Sequence, residues 1–141
     1  MSALRVAIIG RGLGGLSAAL ALCAKGMHAQ VYEQAHQLGE VGAGITLYPN
    51  GLRILETMGL GQEVSRVGTP LGAFCLHAHD GSLVSVERYG PEAKPLGVHR
   101  GDLEAVLAAA LSQGVVHTGC AVSLGHPWVL NYDVEQAALK V

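Results

Sequence analysis

The sequence predicts an α/β fold that begins with a βαβ unit, and three observations lead to this prediction. The run Arg5–Ile9 is short, apolar and rich in branched residues, which is typical of a buried strand. A glycine-rich turn follows, and from Leu13 onward apolar residues recur every three or four positions, as on one face of a helix. A second short strand, residues 29–33, ends in an acid. The first 33 residues therefore form a strand, a tight turn, a helix and a second strand.

Composition limits the class of protein. Half of the 141 residues are hydrophobic and 14% are charged, whereas about 25% charged residues is usual, so a packed interior is expected rather than disorder. The formal net charge of −2 gives no electrostatic reason to expect nucleic acid or an anionic membrane as a partner. The cysteines are far apart in the sequence and form no CxxC pair. We therefore expect no zinc site and no disulfide framework, and a cytoplasmic location.

The first helix is expected to end at Lys25-Gly26, since a glycine after the last apolar position is a common helix stop. Residues 6–24 are apolar enough to resemble a membrane span. However, Arg11 and several glycines interrupt this segment, and a central arginine costs about 2.5–3.5 kcal/mol on insertion scales. We therefore expect no membrane-spanning helix.

The elements that follow are less regular. Residues 34–46 are predicted to be a loop, because Gly39, Gly42 and Gly44 interrupt any regular pattern. Asp80-Gly81 is a strong signal for a two-residue hairpin turn between strands within residues 73–86. Apolar periodicity and turn residues predict the remaining elements, which are a helix from Pro49 to Gly59, a helix over 102–113, strands at 115–117 and 121–124, and a weak helix over 134–140.

The turn after the first strand contains the pattern G-x-G-x-x-G at Gly10, Gly12 and Gly15. The first glycine permits a sharp turn, the second lets the backbone approach a pyrophosphate, and the third lets the helix pack closely. Free N–H groups at the helix start would then bind phosphate. Glu33, after the second strand, lies where such sites bind a ribose hydroxyl. Together these features predict an adenine dinucleotide, and the acid is compatible with either FAD or NAD because both contain an adenosine ribose.

Later segments resemble one family. Four segments are similar to the FAD domain of single-component aromatic-ring hydroxylases. They are residues 41–46, 47–51 and 52–60, and Val98–Leu103, which contains the run His-Arg-Gly-Asp-Leu. Relatives of the salicylate, hydroxybenzoate and urate hydroxylase type share these segments. The resemblance covers roughly residues 5–124. It implies a partial Rossmann-like FAD-binding domain, with a β-hairpin insertion, that is truncated.

The resemblance also implies roles for particular residues. Gly14 would face the pyrophosphate, and Glu33 with Gln34 would hold the adenosine ribose. Ala43 and Thr46 would lie along the flavin, while Arg100 would contact the cofactor as a fixed cation. The complete set of expected FAD-binding residues is Gly10, Gly12, Gly14, Gly15, Glu33, Gln34, Ala43, Thr46, Arg100 and Val122, the last in the strand that meets the adenine.

In such a family NAD(P)H reduces FAD, and one oxygen atom of O2 is transferred to a small aromatic substrate. The family's later sequence carries most of the substrate pocket, so no catalytic side chain is assigned and no metal site is expected. We expect residues 1–124 to be the N-terminal portion of the FAD-binding domain and residues 125–141 to be a divergent tail. Two alternatives stay open, namely a small NAD(P)-binding dehydrogenase and a non-enzymatic dinucleotide-binding remnant.

Truncation has a structural consequence. The strand Val6–Ile9 is central in a complete sheet of this type, so here it is expected to have an exposed edge. Residues 128–130 could cover that edge. Otherwise, we expect a missing C-terminal part or self-association to do so.

Overall fold

The structure is a computed structural model that describes residues 4–36, 43–91, 94–123, 131–133 and 138–140. The chain divides into two compact units, the first made of residues 1–41 with 104–141 and the second of residues 42–103. In chain order the elements are β1 (Arg5–Ile9), α1 (Leu13–Ala24), β2 (His28–Glu33), β3 (Gly44–Leu47), α2 (Pro49–Thr57), α3 (Gly61–Val67), β4 (Gly68–Pro70), β5 (Ala73–His77), β6 (Leu83–Arg88), β7 (Leu96–His99), α4 (Arg100–Ala109), β8 (Val116–Thr118), β9 (Val122–Ser123), β10 (Asn131–Asp133) and β11 (Ala138–Lys140).

The described part of the first unit contains a parallel sheet in which β2 lies between β1 and β8. Alternate residues of β2 face opposite sides of this sheet, and Ala29 and Val31 pack against Ala19 of α1. Val31 and Ala19 are fully buried. Partly buried apolar side chains surround this cluster, namely Ile8, Leu22, Cys23, Leu111, Val115 and Val116. The predicted βαβ unit is confirmed, and its helix is held by apolar packing on one face of the sheet.

Within the described residues, β1 is an edge strand that pairs only with β2. Ile9 at its end is 50% exposed. The expectation of an exposed strand edge therefore holds for this part of the chain. Residues 128–130, which were considered as a cover, lie outside the described residues.

The second unit contains an antiparallel sheet in which β7 lies between β3 and β4. Leu55 of α2, Val64 of α3 and Leu96 of β7 are buried, and they line one cavity of about 300 Å³. Gly68 at the start of β4 lies directly against Leu96, so close that a Cβ at this position would overlap the leucine side chain. The helices α2 and α3 thus pack on this sheet through a small apolar cluster.

The strands β5 and β6 form the expected hairpin, which is largely exposed. Phe74, Leu83 and Val84 have exposed fractions of 51%, 57% and 60%. At the base of the hairpin, the Tyr89 N–H donates to the Gly72 carbonyl at 3.0 Å. The hairpin therefore presents apolar side chains to solvent, which monomeric proteins seldom do over a contiguous area.

Several expectations need correction. The segment predicted to be a loop up to Thr46 contains β3, because pairing with β7 overrides the low strand propensity of glycine. The hairpin turn is longer than two residues, since Ala78 and Ser82 close it by a 2.8 Å backbone hydrogen bond and Gly81 takes a positive φ of 86° inside it. Part of the weak helix expected over 134–140 is instead β11, which pairs with β9 and β10. The proposed boundary near residue 124 stays a prediction.

The longest helix in the described ranges is α1, with 12 residues, whereas a bilayer span needs about 20. Every helix in these ranges is too short or too polar to span a bilayer.

Gly15→Ala is expected to destabilise the chain, because a Cβ at this position would overlap the Gly10 carbonyl oxygen and also press on Ile8. Overpacking of this kind costs about 1–3 kcal/mol. Gly51→Ala is the matched control, since its Cβ would enter open space inside α2 and helix propensity then favours alanine by about 1 kcal/mol. In urea unfolding followed by circular dichroism, the two variants should shift the unfolding midpoint in opposite directions. Equal shifts of the midpoint would contradict the packing described.

Candidate cofactor-binding site

The turn between β1 and α1 presents backbone donors to solvent. Gly10 has a positive φ of 98°, a region that side chains rarely adopt. Gly12 precedes the helix in an extended conformation (φ −68°, ψ 178°) and has no side-chain cap. The Leu16 N–H donates to the Gly12 carbonyl at 3.0 Å, so the N–H groups of residues 13–15 have no acceptor within the helix. A helix start of this kind favours a negatively charged group such as a pyrophosphate.

The glycines of the turn meet the steric demands of a bound dinucleotide. At Gly15 the helix and the Gly10 carbonyl oxygen are so close that no Cβ fits between them. At Gly14, by contrast, a Cβ would meet no atom within 4 Å, and the residue is exposed. Open space therefore lies in front of the helix start while the turn behind it is tightly packed. This arrangement fits the close approach of a pyrophosphate to the backbone.

Glu33 lies at the end of β2 with its carboxylate directed at this turn. The Arg11 N–H donates to Oε2 at 2.9 Å, and the Ala35 N–H donates to Oε1 at 2.9 Å. These bonds from Ala35 and Arg11, with the nearby Arg11 charge, lower the pKa of Glu33 below its usual value, although partial burial opposes them. The carboxylate is thus ionised at neutral pH. A carboxylate has about four acceptor positions, and the backbone N–H groups of Ala35, Arg11 and Gln34 leave room for a ligand hydroxyl.

The chain after β2 is fixed to the chain after β8. The Cys120 N–H donates to the Glu33 carbonyl at 2.8 Å, and the Gly119 N–H donates to the Ala35 carbonyl at 3.2 Å. Gln34, between them, is exposed. The structure therefore brings Gly10, Gly12, Gly14, Gly15 and Glu33 together with Gln34 at the carboxyl end of the parallel sheet. Val122 lies in β9, where it pairs with Leu139.

The remaining expected residues lie in the second unit. The Arg100 N–H donates to the Ala43 carbonyl at 3.1 Å, and β3 and β7 pair Thr46 with Gly97. An open depression of about 460 Å³ lies beside Gly44, Thr46, Gly97 and other residues of this sheet. Ala43 and Arg100 therefore lie together at one end of this sheet, whereas Thr46 lies three residues farther along, toward the other end of β3. The described ranges hold no group of three or more His, Cys, Asp or Glu side chains placed to bind a metal ion.

A family model described as the FAD binding domain matches residues 3–124 of the chain. The chain belongs to this family. The match includes the glycine turn, Glu33 and Arg100, and FAD is the cofactor of the family. The predicted recognition of a FAD-dependent aromatic hydroxylase family is thereby confirmed.

Curated relatives and solved structures agree with the family. The chain is 36% identical to 6-hydroxynicotinate 3-monooxygenase of Pseudomonas fluorescens over 124 residues, which are 82% of this chain and 32% of that protein. It is 33% identical to 3-hydroxybenzoate 6-hydroxylase of Polaromonas naphthalenivorans, covering 98% of this chain and 35% of that one. It also resembles HpxO of Klebsiella pneumoniae in a complex with FAD and uric acid, with a TM-score of 0.73, 26% identity, and 93% and 33% of the two chains covered. The chain thus spans about a third of the length of these relatives.

The sequence did not identify the donors to Glu33 in the first unit, nor a side-chain contact beside Arg100 in the second unit. Arg11 and Ala35 bind Glu33 through their backbone N–H groups, which every residue except proline has, so residue type carries no signal. The Nδ1 atom of His99 accepts the Gly101 N–H at 3.2 Å, beside Arg100. The His-Arg-Gly-Asp-Leu segment was the available signal for His99.

Gly119→Ala is expected to destabilise the first unit for two reasons. Its positive φ of 72° would strain any side chain, and its Cβ would collide with the His36 ring. Gly114→Ala is the control, because Gly114 has a similar φ of 84° but faces open space. Backbone strain alone, as in Gly114→Ala, should lower the free energy of unfolding by about 1–2 kcal/mol. Gly119→Ala should lower it by more.

Urea unfolding of both variants, with the double variant His36→Ala/Gly119→Ala, measures the collision. When the His36 ring is removed, Gly119→Ala should lower the free energy of unfolding by no more than Gly114→Ala does. An unchanged difference would show that His36 does not pack against Gly119.

Proposed function

We propose that this chain binds FAD through its glycine turn and Glu33, and that it is the FAD-binding part of an NAD(P)H-dependent monooxygenase of aromatic substrates. The observation that carries the proposal is the ionised Glu33 carboxylate, hydrogen-bonded to the turn that precedes the α1 N-terminus. A ribose diol and a pyrophosphate need a fixed acceptor and free N–H donors close together.

The contacts are proposed to divide along the cofactor. Glu33, with Gln34 beside it, would hold the adenosine ribose, and the turn with Gly12 and Gly14 would hold the pyrophosphate. Ala43 and Thr46 would lie along the flavin, where a small side chain permits close backbone approach. Arg100 would supply a fixed positive charge for the cofactor, and Val122 would lie at the adenine.

The bound FAD would supply the redox chemistry, passing electrons from NAD(P)H to O2 so that one oxygen atom enters the substrate ring. The residues of this chain bind and orient the cofactor. The relatives are named for hydroxylated benzoates and hydroxynicotinate. We therefore propose a small hydroxylated aromatic acid as the substrate class.

The chain alone is proposed to be inactive. It spans about a third of the length of the relatives, and in the described residues β1 has an unpaired edge with Ile9 half exposed. A further part of the protein, or a second copy of the chain, would cover this edge.

Gly12→Val tests the binding site. A branched side chain on the backbone that faces the pyrophosphate should abolish FAD binding, measured by the change in flavin fluorescence on titration. Gly72→Val is the control, because a Cβ at Gly72 meets open space in the second unit. Both variants should keep the circular dichroism of the wild type. Equal FAD affinity in wild type and Gly12→Val would overturn the proposed site.

The isolated chain is expected not to hydroxylate aromatic compounds, since an unenclosed flavin loses activated oxygen to water. With FAD, NADH and a panel of hydroxybenzoates, the expected result is at most NADH oxidation that yields hydrogen peroxide. Product and NADH are measured together by chromatography and absorbance. Product formed in a constant ratio to NADH consumed would show that the short chain is a complete enzyme.

A further inference from the structure

The glycine turn between β1 and α1 is difficult to hold in one conformation. Residues 10–15 include four glycines, and glycine loses more backbone freedom on folding than any other residue. Gly10, with its positive φ of 98°, has no side chain to anchor the turn by packing. Apart from the close contact of Gly15 with the Gly10 carbonyl, order in this turn therefore depends on hydrogen bonds to its backbone.

Two consecutive residues at the end of β2 accept such bonds. The Gly10 N–H donates to the Tyr32 carbonyl at 2.8 Å, which continues the ladder between the strands. The next N–H, of Arg11, donates to the Glu33 carboxylate at 2.9 Å. A bond to a carboxylate is stronger than a bond between neutral groups. The Arg11 bond is thus the side-chain contribution that fixes the middle of the turn.

The same carboxylate also orders the chain beyond β2. Its second oxygen accepts the Ala35 N–H at 2.9 Å, and the Ala35 carbonyl in turn accepts the Gly119 N–H at 3.2 Å, after β8. One side chain therefore connects the turn after β1, the loop after β2 and the loop after β8. These segments form the carboxyl end of the parallel sheet.

We propose that Glu33 is a positioning residue that holds the glycine turn in its binding conformation before any nucleotide is present. This role differs from its proposed contact with the ribose. The two roles are compatible, because a carboxylate has about four acceptor positions and the backbone N–H groups of Ala35, Arg11 and Gln34 do not occupy all of them. The turn is thus ordered in advance, and the ligand does not bear the entropic cost of ordering it.

The first test is a pH titration of the nucleotide-free chain, followed by the amide NMR signals of Arg11 and Ala35. Both signals should shift together as Glu33 is protonated, with a midpoint below 4.5, because its bonds from Ala35 and Arg11 lower the pKa. The bonds are present above this midpoint and are lost as the pH falls through it.

Within the part of the chain that the structure describes, the other charged and titratable groups at this end of the first unit are Arg11, Tyr32, His36, His117 and Cys120. Amides of Arg11 and Ala35 that do not respond below pH 4.5, or that respond with different midpoints, would overturn the proposal.

The second test is hydrogen exchange in Glu33→Gln, again without nucleotide. The glutamine amide can accept only one of the two backbone N–H groups, so exchange at Arg11 or Ala35 should accelerate about fivefold, the equivalent of one net hydrogen bond. The Val31 N–H donates to the Val115 carbonyl at 2.8 Å in the sheet. Its exchange rate reports a general loss of stability in the first unit and should not change.

Asp80→Asn is the matched control. Asp80 accepts the Ser82 N–H at 2.9 Å in the hairpin loop, so this variant removes a similar carboxylate from the second unit and should leave the Arg11 and Ala35 amides unchanged. Unchanged exchange at both amides in Glu33→Gln, or an equal change at Val31, would refute the positioning role. Since no measurement uses FAD, a failure of the proposed function would not be confused with a failure here.

Discussion

The close approach of α1 to the turn before it is the constraint on which the first unit depends. Gly15 lies against the Gly10 carbonyl oxygen with no room for a Cβ. This contact lets α1 lie near the sheet, so that Ala19 packs on Ala29 and Val31. It also fixes the start of α1 beside the turn whose Arg11 N–H donates to the Glu33 carboxylate. Packing and the proposed nucleotide contacts therefore involve the same few glycines.

The βαβ unit could be predicted because its signals are local. The glycine spacing, the helical period after Leu13 and the acid at Glu33 all fall within 33 residues. The sheet of the second unit could not be predicted in this way. Its strands β3 and β7 contain Gly44 and Gly97 and are stabilised by pairing between segments far apart in the chain, so composition gives little strand signal. Likewise Glu33 was predicted to be a ribose ligand, a role that stays a prediction, whereas its bonds to the Arg11 and Ala35 backbone depend on folded geometry.

Exposed apolar surface is consistent with the limited span of the chain. The hairpin of β5 and β6 exposes Phe74, Leu83 and Val84, and in the described residues β1 keeps one edge unpaired. Relatives that match this chain are about three times as long. Surface of this kind in a longer protein is ordinarily covered by the rest of the fold. The unpaired edge of β1 and the greater length of the relatives thus support the same proposal, that further polypeptide completes the enzyme.

The most direct test of the central claim is amide NMR mapping of the chain during titration with ADP, which carries the adenosine and pyrophosphate half of FAD. Binding at the proposed site should shift the amide signals of residues 10–15 and 33–35 first and most strongly. The hairpin signals, including those of Phe74 and Val84, should stay in place. Shifts confined to the hairpin, or no shift at residues 10–15 at saturating ADP, would contradict a dinucleotide site at the glycine turn.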